Sequence, residues 1–140
     1  MRFSSQVRAG LRAGLELGMR EGAGPISVRE MAADVGVSEH YLEQVMALLR
    51  RAGLVQATRG ASGGYELTRP ASELRLLDFL RALDGVPEES FPHTADDPME
   101  RAMARALEQA TAAMTATAAQ IRLADMVQAV RETGAFMYYI

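Results

Sequence analysis

The stretch RGASGGYEL (59–67) holds the residues best suited to meeting a ligand. Arg59 brings a forked, permanently charged donor, and Gly60, Gly63 and Gly64 allow a close backbone approach to another chain. Together they suit contact with a polyanion such as a sugar–phosphate strand. A nucleotide-cradling loop is excluded, because no Gly-Lys-Ser/Thr and no helix start follow the glycines. The plainer reading, a turn whose glycines only satisfy positive φ, is compatible with that contact. Catalysis finds little support: there is no Ser/His/Asp spacing or metal triad, and His40 and His93 lie on separate segments. An enzyme is therefore not expected. His93 with Asp96 and Asp97, or with Glu88 and Glu89, is a conceivable ligand set for a hard or borderline metal. A lone loop histidine among acids is far more often simply solvated, so no metal and no other cofactor is expected. The absence of cysteine removes disulfides and thiolate metal sites.

The 140 residues suit one domain, or one domain with an appended element. No apolar run approaches the roughly 18 residues that span a bilayer, and the N-terminus lacks a signal pattern, so a cytoplasmic location is expected. The net charge of −3 hides a gradient. Residues 1–75 carry ten arginines against eight acids, and residues 76–140 carry five against ten. A mildly basic N-terminal portion with an acidic remainder fits a nucleic-acid-binding domain joined to an assembly or sensing element, though the imbalance is small.

Several elements must position these residues. A first helix is expected over Ser5–Met19, where Val7, Leu11, Leu15 and Met19 recur every four residues. Gly10, Gly14 and Gly18 line its adjoining face, at roughly 1 kcal/mol each against alanine, which suggests that another helix comes very close. Ser27 with Glu30 forms a capping box for a second helix from Val28, ended by Gly36. Ser38 caps a third helix that runs to about Arg51 and stops at Gly53. Residues 54–58 and 65–68 read as two short strands joined by RGASGG, and 76–83 as a brief helix. Residues 86–97 form a loop. Asp97, Pro98 and Glu100 then start a long helix to about Ile121, and Leu123–Arg131 makes a last short one.

Residues 28–51 carry a helix-turn-helix pattern: Ala32 at the crossing, Gly36 at the turn, and Met31, Val35, Val37, Leu42 and Val45 inside. At about 100° per residue, Leu42, Val45, Met46 and Leu49 share one face of the third helix. His40, Gln44, Ala47 and Arg51 occupy the opposite face, with Glu43 and Arg50 at its flanks. An ordinary αα-hairpin is the plainer alternative. Two strands directly after such a helix make a winged helix-turn-helix, with Arg59–Gly63 at the wing tip. The fold class expected is mainly α with a small β-wing: a winged helix-turn-helix domain at 1–85, a loop at 86–97, and helices at 98–140.

From Ile26 to Leu67 the sequence resembles the Rrf2 family of bacterial winged helix-turn-helix transcription regulators, which includes the IscR, NsrR and CymR types. The shared features are Ile26-Ser27, Tyr41-Leu42-Glu43-Gln44, Ala52-Gly53-Leu54-Val55, and Arg59-Gly60 followed by Gly63-Gly64-Tyr65. Looser matches occur at 76–85 and 122–127. The resemblance implies a homodimer that binds a partly palindromic operator in double-stranded DNA, with a long helix crossing to the partner. It makes Tyr41, Glu43 and Arg59 the foremost DNA contacts; Ser38, His40, Gln44 and Arg51 of the third helix and its cap, and Gly60 and Gly63 of the wing tip, complete the expected surface. Glu43 is suited to accept from a cytosine amino group, worth roughly 1–3 kcal/mol of discrimination, or to pair with Arg50 or Arg51 on the helix surface. Read independently, Met99, Met103, Leu107, Ala110, Met114 and Ile121 form a narrow apolar stripe shaped like a helix–helix seam.

Many relatives hold an iron–sulfur cluster through three cysteines in the loop before the long helix, and here that loop has none. Cluster sensing is therefore not carried over. The expected input is a small molecule or a partner protein; Met99, Met103, Met114, Met126 and Met137 are adaptable pocket liners, although such methionines are usually core. The reading that emerges is a dimeric sequence-specific DNA-binding regulator, acting as a repressor. The alternative is a helix-turn-helix scaffold that regulates a partner enzyme without touching DNA.

Overall fold

The computed structural model describes residues 2–86 and 96–138. Glu88, Glu89 and His93, named above as conceivable ligands, lie outside the described residues, as does most of the expected 86–97 loop. Helix α1 (Ser5–Met19) starts at Ser4, whose Oγ accepts from the Val7 N–H at 3.2 Å. Its glycine line does admit close neighbours. A Cβ on Gly14 would stand 2.6 Å from the Phe79 ring, and one on Gly18 would stand 2.8 Å from Val127. Gly10 leaves room in the same way for Leu83. Phe79 belongs to α4 (Leu76–Ala82) and Val127 to α6 (Leu123–Tyr138), so two helices pack along the same glycine face of α1, one turn apart.

Helix α2 (Val28–Val35) is capped by Ser27, whose Oγ accepts from the Glu30 N–H at 3.2 Å. Only that half of the expected capping box forms. The Glu30 carboxylate turns instead to Arg20 at 2.5 Å, with Asp34 also 3.7 Å from that guanidinium, and so ties α2 to the end of α1. Gly36 ends α2 at φ 82°, a left-handed conformation. Helix α3 (Glu39–Arg51) follows at once. Strands β1 (Val55–Thr58) and β2 (Gly64–Leu67) form an antiparallel pair with Val55 opposite Leu67 and Thr58 opposite Gly64.

One core unites these parts: Met31, Leu42, Met46, Leu49, Leu74 and Phe79 are fully buried within it, and Leu123 and Val127 of α6 join it. Helix α5 (Pro98–Ala118) starts as its sequence dictates, with Asp97 Oδ1 accepting from the Met99 N–H at 2.9 Å and Pro98 at the first position. Two expectations fail. The long helix stops at Ala118, three residues short of Ile121, because the chain there turns extended to form a backbone bridge. The Leu76 N–H donates to the Ile121 carbonyl and the Leu123 N–H to the Leu74 carbonyl, each at 2.8 Å. Helix α6 runs through Gly134 to Tyr138 instead of ending near Arg131. A glycine in mid-helix weakens it by only about 1 kcal/mol, too little to stop it.

Candidate nucleic-acid interface

Helix α3 is amphipathic, and its two faces have different fates. Leu42, Val45, Met46 and Leu49 are buried against α1, α2 and β1, which fixes the rotation of the helix. That rotation turns His40, Gln44 and Arg51 into solvent, with Ala47 half-buried between them. His40 Nε2 and Gln44 Nε2 lie 3.3 Å apart, one turn from each other. Their polar ends are therefore presented as a pair. Ser38 Oγ accepts from the Tyr41 N–H at 3.1 Å, so the serine caps the helix while remaining exposed at its tip. Tyr41 is half-buried and packs against the core on the flank away from the wing.

Glu43 lies exposed on the other flank. Of the two alternatives open for it, pairing with Arg50 or Arg51 is not what the structure shows: its carboxylate accepts from the Tyr65 hydroxyl at 3.4 Å. Tyr65 sits in β2 and is 8% exposed. Burial first, and then the negative charge of Glu43, hold its phenol above the ordinary tyrosine pKa, while Arg50 pulls the other way. The hydroxyl thus stays a neutral donor through the physiological range.

At the wing tip, Arg59 and Gly60 are exposed just beyond the last strand pair, and Arg59 makes no hydrogen bond or ion pair among the described residues. Gly60 has φ 116° and open space where a side chain would go, so the tip is bare backbone. Gly63 serves the turn itself: its N–H donates to the Gly60 carbonyl at 3.0 Å, and a Cβ there would collide with the Thr58 carbonyl. The turn explains Gly63, whereas Arg59 and Gly60 are left exposed with no such role in the turn's packing. Tyr65 is the residue that sequence reasoning missed as part of this surface. Its signal was present, an aromatic at an inward strand position straight after Gly-Gly.

The structure gathers Ser38, His40, Glu43, Gln44 and Arg51 on one helix and sets the Arg59 tip on the hairpin that follows it. The stripe on α5 is separate. Met99, Met103 and Leu107 are 82%, 52% and 41% exposed, Ala110 is exposed and Met114 half-buried. Ile121 does not belong with them; it lies past the helix end, its carbonyl engaged by Leu76.

Comparison with known proteins assigns this architecture. Residues 3–129 match the Rrf2 family model, described as iron-dependent transcriptional regulator. The HTH-type transcriptional regulator CymR of Bacillus subtilis is 42% identical over 85 residues, covering 61% of this chain and 62% of that one. The regulator IscR of Cereibacter sphaeroides is 37% identical over 86 residues, 60% of this chain and 56% of its own. The matched stretch thus spans about six-tenths of these curated relatives. In three dimensions the solved structure of the B. subtilis global cysteine regulator CymR superposes with a TM-score of 0.78 at 32% identity, covering 91% of this chain and 97% of that one. T. potens IscR gives the same TM-score and identity over 95% and 90%. Where the family description implies iron, the donors here do not fit a thiolate-held cluster: none of the 140 residues is cysteine. Among the described residues no three His, Asp or Glu side chains gather as a metal site either. With helix-turn-helix, wing and long helix in place and the family model matched from residue 3 to 129, the chain belongs to the Rrf2 family of transcriptional regulators.

Proposed function

We propose that this protein is a sequence-specific DNA-binding transcription regulator that works as a homodimer, represses, and does so without an iron–sulfur cluster. The observation that carries the reading is the surface of α3. Its apolar face is locked into the core while His40, Gln44 and Arg51 face solvent, immediately before a hairpin with Arg59 at its tip. A helix so presented can enter a major groove, its polar side chains reading base edges while Arg59 and the Gly60 backbone lie along a sugar–phosphate strand. Ser38 accepts the Tyr41 N–H as the cap and keeps its one O–H to donate to a phosphate oxygen.

The dimer is supported by α5. Met99, Met103, Leu107 and Ala110 lie in water in the single chain, with Met114 half-buried beside them, and a matching helix from a second copy would cover this stripe. The division of labour follows: residues 1–85 bind DNA, and within 98–140 the long helix assembles the dimer while the C-terminal helix packs back on α1. Two copies would meet two half-sites of a partly palindromic operator. With no thiolate to hold a cluster, the effector is a small molecule or a protein.

Binding of the purified protein to its own promoter region, measured across salt concentrations, tests this. A specific fragment should bind tighter than random DNA, with log K falling steeply and linearly against log salt. Equal affinity for every fragment would sink the proposal and favour a scaffold that acts on a partner protein.

A further inference from the structure

We infer that Tyr65 is a positioning residue for Glu43: the wing strand holds the recognition-helix carboxylate in place and thereby sets which base pair it discriminates. The inference rests on the DNA-binding reading above and deepens it. Its basis is the contact between Tyr65 Oη and Glu43 Oε2 at 3.4 Å, the one side-chain hydrogen bond between α3 and the wing among the described residues.

The two ends of that contact are unequal. Glu43 sits on an exposed flank, and among the described residues nothing else fixes its flexible side chain. Tyr65 is fixed three times. Its N–H donates to the Ile26 carbonyl at 2.8 Å and its carbonyl accepts from the Ile26 N–H at 2.9 Å, which ties the strand to the entry of α2. The strand register sets it opposite Ala57. Its ring lies in the core. Gly64 makes this possible, since a Cβ there would run into the Ile26 carbonyl and stand 2.7 Å from the Ser27 nitrogen. The Gly-Gly pair before Tyr65 therefore serves the placement of one hydroxyl as well as the turn. Arg50, on the same flank of α3 and close enough to act on the phenol, is the competing partner. Without the hydroxyl, the Glu43 carboxylate is free to swing toward that cation and away from the bases.

The test uses Tyr65→Phe, which keeps the ring and removes only the donor, and Glu43→Ala, alone and combined. Base preference is read by binding to operator variants changed one base pair at a time. Glu43→Ala should relax discrimination at one base pair per half-site. Tyr65→Phe should relax it at that same base pair by about 3- to 10-fold, and the double variant should match Glu43→Ala alone. Affinity for random DNA and the salt slope should not move, which a merely structural loss would not spare. An unaltered preference in Tyr65→Phe, a shift at a different base pair, or simple additivity in the double variant overturns the inference. A second measurement needs no DNA. In an absorbance titration of the phenols, with Tyr65 assigned by its loss in Tyr65→Phe, Glu43→Gln should lower the pH at which Tyr65 ionises. An unmoved Tyr65 titration overturns the contact even if the protein binds a specific site. A shifted titration in a protein with no DNA preference overturns the function and the positioning role with it, while leaving the contact standing.

Discussion

Helices α3 and α5 both present a face to water, and they do so for opposite reasons. In α3 the exposed side is polar, and the apolar side is spent on the core through Leu42, Val45, Met46 and Leu49. The surface is at ease in solvent and can meet and leave a charged partner. In α5 the buried line is Ala104, Thr111 and Ala118, one small residue every seven. The larger side chains, Met99, Met103 and Leu107, are offset from that line by about 120°, 80° and 40° around the helix and are left in water. A helix that buries its small residues and exposes its large ones is unfinished in the single chain. The first face suits a reversible contact and the second a lasting one.

The largest effect should come from charging the second face. Met103→Glu with Leu107→Glu should give monomers by sedimentation and weaken operator binding by about a hundredfold or more, while the thermal transition of the chain itself stays close to wild type. A dimer that survives would remove the contrast between the helices. On α3, Glu43→Ala should cost about 1–3 kcal/mol of discrimination at one base pair and leave the dimer intact, as competition binding would show. Arg59→Ala should weaken binding to all sequences alike and lower the salt slope by about 1, the sign of a lost phosphate contact. Ser38→Ala should lower stability by about 1 kcal/mol in denaturant unfolding through loss of the cap, whatever its effect on DNA.

The smallest effect lies on α6, where the Arg122 guanidinium, and next its backbone N–H at 2.9 Å, hold the Asp125 carboxyl below the usual carboxylate range. A lowered folded-state pKa means that the stabilisation is present above the ordinary aspartate value and is lost as pH falls through the lowered one. The denaturation midpoint of wild type should thus exceed that of Asp125→Asn at neutral pH by a small margin that closes in acid.

Much of this was legible in the residues, because short-range chemistry decided it. Ser27, Ser38 and Asp97 cap their helices through contacts within three positions. The face of α3 follows from a simple period. What escaped were contacts between distant segments. The end of α5 is set by the bridge from Ile121 to Leu76, and no periodicity in 98–121 announces a partner so far back in the chain. Glu30 looked like half of a capping box until Arg20, ten residues earlier, claimed it. Tyr65 and Glu43 are likewise separated by a turn and a strand. The glycine line of α1 is the exception, a distant contact foretold by the small size of the residues that permit it.

That same bridge between 74–76 and 121–123 has a modular consequence. From Leu76 the chain first adds α4 to the core, later forms α5, and is returned to the same spot by two backbone hydrogen bonds, after which α6 docks on α1. The excursion is thus a loop sewn shut at its base. Backbone pairing asks little of side-chain identity, so the seam can outlast wide variation in what it encloses. In the proposed dimer, lengthening or replacing the outer part of α5 would change the reach between the two winged domains while leaving the bridge in place.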